Sequence, residues 1–291
     1  MTGFPEKAAQ SIVDGALEED LGGFPGVDVT STATIPAGQR STAHVVARGD
    51  GVLAGAPLVS LVFRAVSERL GLPEVDVEPV HEDGDMLRRG EVIAVLRGST
   101  RAILVGERTL LNLLSRLSGV ATHTRLWALE LEGTGATVLD TRKTTPLLRA
   151  LEKYAVRCGG GTNKRMGLYD VAMIKDNHKL AAGSLTAAIA AVHTAYPEVP
   201  IQVEATTMEE ALEAVQAGAR FLLLDNMTPE LLQATVETVR ATGEVVEIEA
   251  TGGLTLDVAR TYALTGVDYL SVGALTHSSP IVDIALDLVG G

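Results

Sequence analysis

Apolar residues recur at helical spacing over residues 6–20 (Ala9, Ile12, Val13, Ala16, Leu17), which predicts a first helix. Residues 41–48 then alternate, with Ala43, Val45 and Ala47 on one face, as a half-buried strand does. The turn Gly49-Asp50-Gly51 leads to a short apolar run and a predicted helix over roughly 55–70. Segments 74–80 and 91–97 read as strands separated by the turn-rich HEDGDMLRRG. Residues 101–117 read as a long helix through Ala102, Leu104, Val105, Leu110, Leu111, Leu114 and Leu117. Mixed strands with flanking helices and no regular alternation fit an α+β sandwich.

The pattern changes near residue 120, and after residue 134 a regular rhythm begins. Short apolar strands end in a polar or small residue and are each followed by a helical stretch: TVLDT, DVAMIK, IQVEA, FLLLDN, VVEIEATGG and YLSVGA. Their ends are Asp140, Lys175, Glu204, Asp225, Glu249 and Gly273, and from Lys175 onward they follow at intervals of 29, 21, 24 and 24 residues. Each interval is one βα unit, and repeated βα units with buried strands predict a parallel sheet. Functional side chains at every strand end favour a barrel, where those ends converge on one mouth, over an open doubly wound sheet, which gathers them at one switch point. The predicted organisation is an N-terminal sandwich over 1–118 and an α/β barrel over 119–277, with helix 101–117 leading from one to the other.

Composition narrows the partners. Hydrophobic residues make up 46% of the 291 and charged residues 21%, so a full core is expected. The formal net charge of −13 disfavours nucleic acid and anionic membrane surfaces as partners. A single cysteine, Cys158, excludes an intramolecular disulfide or a cysteine metal cage. No secretory signal and no apolar run long enough to span a membrane are read, so a cytoplasmic protein is expected. Against that acidic background, Thr141–Arg165 holds seven of the 24 Lys and Arg residues: Arg142, Lys143, Arg149, Lys153, Arg157, Lys164 and Arg165. Glu152 is the one acidic residue among them. The cluster flanks Gly159-Gly160-Gly161, which reads either as a flexible loop or as backbone that approaches an anion closely.

The strand ends carry the candidate chemistry. Lys175 is read as a Schiff-base nucleophile, an anion clamp, or the partner of Asp176 or another carboxylate. His178 reads as a supporting residue. Glu204 and Asp225, on successive strands and without a His or Cys partner, suit a hard cation, Mg²⁺, shared with substrate phosphate. The competing readings are helix N-caps or counter-ions to Lys175. Thr251-Gly252-Gly253 and Gly273-Ala274 form small-residue loops before the last two predicted helices, read as a phosphate cradle or as ordinary tight turns.

These motifs run in an order that resembles a known family. GERTLLNLL, LDTRKTTP, LEKYAVRCGGGTNKRMGLYD, MIKDNH, VEA, LLLDNM, EATGGL and SVGALTHS, with EEDLGGFPGVDVTS and ARGDGVLAG before them, are similar to quinolinate phosphoribosyltransferase. The resemblance covers almost the whole chain. It implies a type II phosphoribosyltransferase fold, in which the N-terminal α/β sandwich is completed by 278–291. It implies joining of quinolinate to phosphoribosyl pyrophosphate, with loss of pyrophosphate and CO₂, to give nicotinate mononucleotide for NAD synthesis. It also implies a homodimer with shared active sites, with a hexamer as the open larger assembly.

By resemblance, Arg108 (from the neighbouring subunit), Arg142, Arg165 and Lys175 line the quinolinate pocket, with Thr141 and Lys164 also among the substrate-binding residues. Lys143, Glu204 and Asp225 hold phosphoribosyl pyrophosphate and its Mg²⁺, with Lys143, Lys175, Glu204 and Asp225 taken as catalytic. Thr251, Gly252, Gly253, Gly273, Ala274 and His277 hold the 5′-phosphate. Three positions depart from the family pattern: Lys164 stands where His is usual, Thr251 where Ser is usual, and Leu147 where Gly follows TRKTTP. The expectation for Lys164 is that its charge takes over the electrostatic part of the histidine's role in binding the acid.

Overall fold

The structure, a computed structural model, describes residues 3–289. Among these the chain forms two compact units. The first comprises the residues up to Arg125, Thr144–Gly160 and those from Leu275 onward; the second comprises Leu126–Lys143 and Gly161–Ala274. The first unit thus takes in 144–160, which the sequence reading placed with the barrel; residues 1, 2, 290 and 291 lie outside the described residues.

In the first unit, α1 (Glu6–Leu21) buries Ala9, Val13, Leu17 and Leu21 and stops at Gly22, whose left-handed backbone (φ 72°) closes its last turn. The short α2 (Val29–Thr34) follows. β1 (Arg40–Ala47) and β2 (Gly51–Val52) come next. α3 (Pro57–Leu70) starts with proline in its first turn and buries Leu58, Val59, Leu61, Val62, Phe63 and Val66. β3 (Asp76–Pro79), β4 (Met86–Leu87) and β5 (Val92–Ser99) precede α4 (Thr100–Glu130).

The spacing predicted that this last helix ends at 117. It runs on to Glu130, past Gly119, a helix weakener by itself that stands where any Cβ would collide with the Pro280 carbonyl and lie 2.9 Å from Ile281 Cα. Thr122 and Thr124 satisfy their hydroxyls on the Ser118 and Val120 carbonyls one turn back, at 2.6 and 2.8 Å.

The second unit holds the repeating strands. They are β6 (Thr137–Leu139), β7 (Ala172–Ile174), β8 (Ile201–Ala205), β9 (Phe221–Asp225), β10 (Glu247–Thr251) and β11 (Tyr269–Ser271). Helix α5 (Arg149–Cys158) lies between β6 and β7 in the chain but in the first unit. The connecting helices are α6 (Asp176–Ala182), α7 (Leu185–Ala195), α8 (Met208–Gln216), α9 (Pro229–Ala241) and α10 (Leu256–Ala263).

All pairings are parallel, in the order β6-β11-β10-β9-β8-β7. The last strand in sequence therefore pairs with the first, as barrel closure requires and a doubly wound sheet does not. A one-residue bridge adds Thr162 beside Leu139, supplying the seventh position. Between Thr162 and β7 no ladder bond closes the ring among the described residues, so the α/β barrel has one open seam.

After α11 (Ala274–His277) the chain returns to the first unit as β12 (Ile284–Val289). There it pairs antiparallel with β1, giving the sheet order β12-β1-β5-β3. No helix of the described residues is long and apolar enough to cross a membrane.

Candidate active site

Parallel strands deliver their C-terminal ends to one face of the barrel. Asp225 closes β9, Thr251 closes β10, Lys175 immediately follows β7, and Glu204 is the penultimate residue of β8. Asp225 and Thr251 are register partners. The Lys175 ammonium binds Glu204 Oε2 directly, so Lys175 has the nearby carboxylate as a partner and Glu204 is its counter-ion. Asp225 lies close enough to both to feel them. Burial pushes its carboxyl above the usual aspartate range, the Glu204 charge adds to that, and the Asn226 amide and Lys175 oppose it.

The capping reading of both carboxylates fails. Thr207 caps α8 by accepting from the Glu210 amide, and Thr228 caps α9 by accepting from the Leu231 amide. His178 instead accepts the Lys175 backbone N–H on Nδ1 at 3.0 Å, fixing the start of α6, so it supports the lysine. No three His, Cys, Asp or Glu side chains converge into a metal cage among the described residues. Two adjacent carboxylates, one held reluctantly ionised, do fit a hard cation that completes its shell with substrate oxygens.

The Thr251-Gly252-Gly253 loop is built against the Asp225-Asn226 turn. Asn226 has a left-handed backbone (φ 56°) and donates its N–H to the Thr251 carbonyl at 3.0 Å. A Cβ on Gly252 would overlap the Asn226 side chain and come within 2.8 Å of its amide nitrogen, and Gly252 itself has φ 98°. Glycine is required there for packing and backbone conformation together. Gly273 and Ala274 follow β11 at the same end of the sheet.

The cation-rich segment divides. In the first unit, Arg149 donates to Thr144 Oγ1 at 3.0 Å, Arg157 stacks over the Tyr154 ring at 5.4 Å, and Lys153 is buried. The adjoining glycines have structural reasons of their own. A Cβ on Gly159 would meet the Ala121 carbonyl and lie 2.6 Å from Thr124 Cβ, and Gly160 has φ 94°. Their run needs no anion to explain it. Arg142, Lys143, Lys164 and Arg165 belong to the second unit. Lys143 is exposed, and its N–H binds Thr141 Oγ1 at 3.0 Å. Arg165 donates to the Val171 carbonyl at 3.0 Å across the seam segment, while its buried Nε has no partner within the protein. Burial lowers its pKa, and the charge of neighbouring Arg142 lowers it further.

Lys164 neither faces solvent nor presents a loose charge to the mouth. Its side chain is 7% exposed, and Nζ lies 2.6 Å from Oε1 of the fully buried Glu249. Its N–H donates to Asp140 Oδ1 at 2.9 Å, and the Asn163 amide donates to Asp140 Oδ2 at 2.6 Å. Glu249 and Asp140 stood out in the sequence only as strand ends. That one would hold the Lys164 side chain and the other its backbone was not legible, because both partners are distant in sequence. Arg108 and His277 belong to the first unit and are exposed. Arg108 lies 3.9 Å from Glu107, and His277 Nδ1 lies 2.6 Å from the Ser278 hydroxyl.

Residues 28–118 match the quinolinate phosphoribosyl transferase N-terminal domain, and residues 120–287 match the C-terminal domain of the same family. The chain belongs to the quinolinate phosphoribosyl transferase family.

Among its relatives, the nicotinate-nucleotide pyrophosphorylase (carboxylating) of Mycobacterium leprae is 44% identical over 281 residues, covering 97% of each chain. A quinolinate phosphoribosyltransferase (decarboxylating) of Nicotiana glauca is 37% identical over 301 residues, 98% of this chain and 83% of that one. The solved nicotinate-nucleotide pyrophosphorylase of Francisella tularensis superposes with a TM-score of 0.91 at 31% identity, covering 99% of this chain and 98% of that one.

Two departures of this phosphoribosyl transferase from its family pattern now have a physical description. Leu147, where glycine is usual, keeps the left-handed backbone that glycine adopts freely (φ 67°), and its side chain is 86% exposed. Thr251 keeps a hydroxyl at the strand end and also accepts Asn226's amide on its carbonyl.

Proposed function

We infer that this chain is a quinolinate phosphoribosyltransferase. It transfers the phosphoribosyl group of phosphoribosyl pyrophosphate to quinolinate and releases CO₂, giving nicotinate mononucleotide for NAD synthesis. The observation that carries this reading is one barrel end bearing Lys175, Glu204, Asp225 and Thr251 in a chain that matches both domains of the family.

Arg142, Arg165 and Lys175 are proposed to bind the two carboxylates of quinolinate, with Arg108 of a second subunit completing the pocket in a homodimer. The unpartnered Arg165 Nε is a donor that such an anion would satisfy. The loops 251–253 and 273–274 hold the 5′-phosphate, and Lys143 holds the pyrophosphate. Glu204 and Asp225 would hold Mg²⁺, which when bound neutralises the pyrophosphate as it departs. Lys175 and Glu204 are each other's counter-ion, so a quinolinate carboxylate binding Lys175 would release Glu204, which with Asp225 would be available to hold Mg²⁺.

The ring nitrogen bonds to the ribose carbon as the bond to pyrophosphate breaks. The resulting pyridinium then stabilises the electron pair left on the ring carbon when the adjacent carboxylate leaves as CO₂, and that carbon takes a proton. Positioning suffices for this second step, so no further cofactor enters the reading.

The test is formation of nicotinate mononucleotide from quinolinate, phosphoribosyl pyrophosphate and Mg²⁺. Asp225→Ala and Glu204→Ala are expected to lose most turnover while keeping the wild-type thermal transition; near-wild-type turnover and Mg²⁺ dependence in either would remove that residue from the metal site. Nicotinate in place of quinolinate should be a clearly poorer substrate, because a buried charged donor is then left without its acceptor. Equal catalytic efficiency on the two acids would contradict the two-carboxylate pocket.

A further inference from the structure

The barrel interior holds an ion pair that the reaction does not use. Lys164 and Glu249 lie on segments 85 residues apart, meet at 2.6 Å, and are both withdrawn from solvent. The backbone of Lys164 is fixed separately by Asp140, so the ammonium is directed inward from an anchored position. Its neighbours are cations of the mouth: Lys175 and Arg165 each lower its hold on a proton, after burial itself, and Glu249 opposes them. Burial pushes the Glu249 carboxyl up, and the Lys164 and Lys175 charges pull it down. Thus Glu249 is the buried counter-charge under a crowd of cations. Without it, Lys164 would stand beside Arg165, Arg142 and Lys175 as a fourth positive charge facing a substrate with two carboxylates.

We propose that Glu249 is a specificity-determining residue that withdraws the Lys164 ammonium from the acid pocket, leaving Arg142, Arg165 and Lys175 to set its charge. This rests on the assignment of those three to quinolinate. A fourth cation would attract the two carboxylates of quinolinate more strongly than the single carboxylate of nicotinate, so releasing Lys164 changes the difference of affinities on which specificity rests. Lys164 is then an internal partner of Glu249, not a substrate ligand.

The experiment measures binding of quinolinate and of nicotinate, together with thermal transitions and the Michaelis constants for both substrates, in wild type, Glu249→Gln, Lys164→Met and the double variant Lys164→Met/Glu249→Leu. Breaking a buried pair from one side is strongly destabilising, whereas replacing both partners with apolar groups is often neutral. Each single variant should therefore melt about 10 °C lower, and the double variant should recover most of that loss. Glu249→Gln should bind quinolinate at least fivefold tighter and widen the preference for it over nicotinate. The double variant should return that preference to within about twofold of wild type.

A double variant that folds but binds quinolinate tenfold or more weakly would overturn the proposal, because Lys164 would then be a ligand of the acid. A folded Glu249→Gln with both affinities unchanged would overturn it as well. Should that single variant fail to fold, the double variant alone decides. A wild type that makes no nicotinate mononucleotide from quinolinate overturns the assigned reaction first, and this proposal with it.

Discussion

Asp225 shows how a residue's surroundings set its chemistry. Burial and the Glu204 carboxylate hold its pKa above the ordinary aspartate value. A cation needs the ionised form, so Mg²⁺ affinity should fall as pH drops through that raised pKa, earlier than for a solvated aspartate near 3.9. Glu204→Gln removes the neighbouring negative charge and should move the Asp225 titration, followed by carboxyl NMR without metal, to lower pH. An unmoved titration would mean that the two carboxylates do not sense each other. At this scale the sequence was legible wherever a residue stands at the end of its own strand: Lys175, Glu204 and Asp225 are where the βα rhythm put them, whereas β10 runs past the expected end at Glu249 to Thr251. It was not legible where function depends on a partner far away in the chain. Lys164 read as a positive charge for the substrate, and only the fold shows Glu249 holding it. Arg149, Lys153 and Arg157 read as part of one anion site, yet they lie on α5 in the other unit.

At the scale of elements, local backbone and caps carry the testable consequences. Leu147 occupies a left-handed conformation that costs an L-residue roughly 1–2 kcal/mol, while glycine's extra freedom in the unfolded chain costs about 0.5–1 kcal/mol. Leu147→Gly is therefore expected to raise stability by up to about 1 kcal/mol, and a loss larger than that in a denaturant titration would contradict the strain. Gly252→Ala, by contrast, places a Cβ into Asn226 at a positive φ and should weaken phosphoribosyl pyrophosphate binding as the loop shifts. The six-residue helix α2 was invisible in VTSTAT, whose β-branched residues favour strand. It forms because Asp28 caps it, accepting from the Thr30 and Ser31 amides at 2.9 and 3.0 Å and from the Ser31 hydroxyl. Burial alone would raise the Asp28 carboxyl, but those hydrogen bonds outweigh it and hold the pKa below the usual value. Its stabilisation is therefore full above the unfolded pKa near 3.9 and is lost as pH falls through the lower folded value. Asp28→Ala should cost about 1 kcal/mol at neutral pH, and the difference from wild type should vanish in strong acid; a constant difference would point to packing instead. The long α4 was read too short, since the apolar spacing was followed only to Leu117. Gly119 answers a close backbone approach that the pattern of apolar residues cannot express.

For the whole molecule, the proposed shared site makes a prediction about assembly. Arg108→Ala and Lys175→Ala, each inactive alone, should regain partial activity after subunit exchange, because one of the two mixed sites receives neither defect; a verified heterodimer without recovery would assign Arg108 to its own subunit. The rhythm of strands after residue 134 made the barrel legible, since period and strand ends are local signals. The division into units was harder to see, because 144–160 joins the first unit through long-range contacts, whereas the return of the last strand to that unit was expected from the resemblance. That last strand has a consequence for synthesis. β1 lies between β5 and β12, and β12 follows the entire barrel in chain order. At 5–20 residues per second, roughly 10 to 50 s of translation separate them. For that interval a nascent chain carries a sheet whose β1 edge has no neighbour, and an open edge is a template for pairing with other chains. A circular permutant that places β12 ahead of β1 should therefore emerge with that edge already covered and aggregate less during cell-free translation.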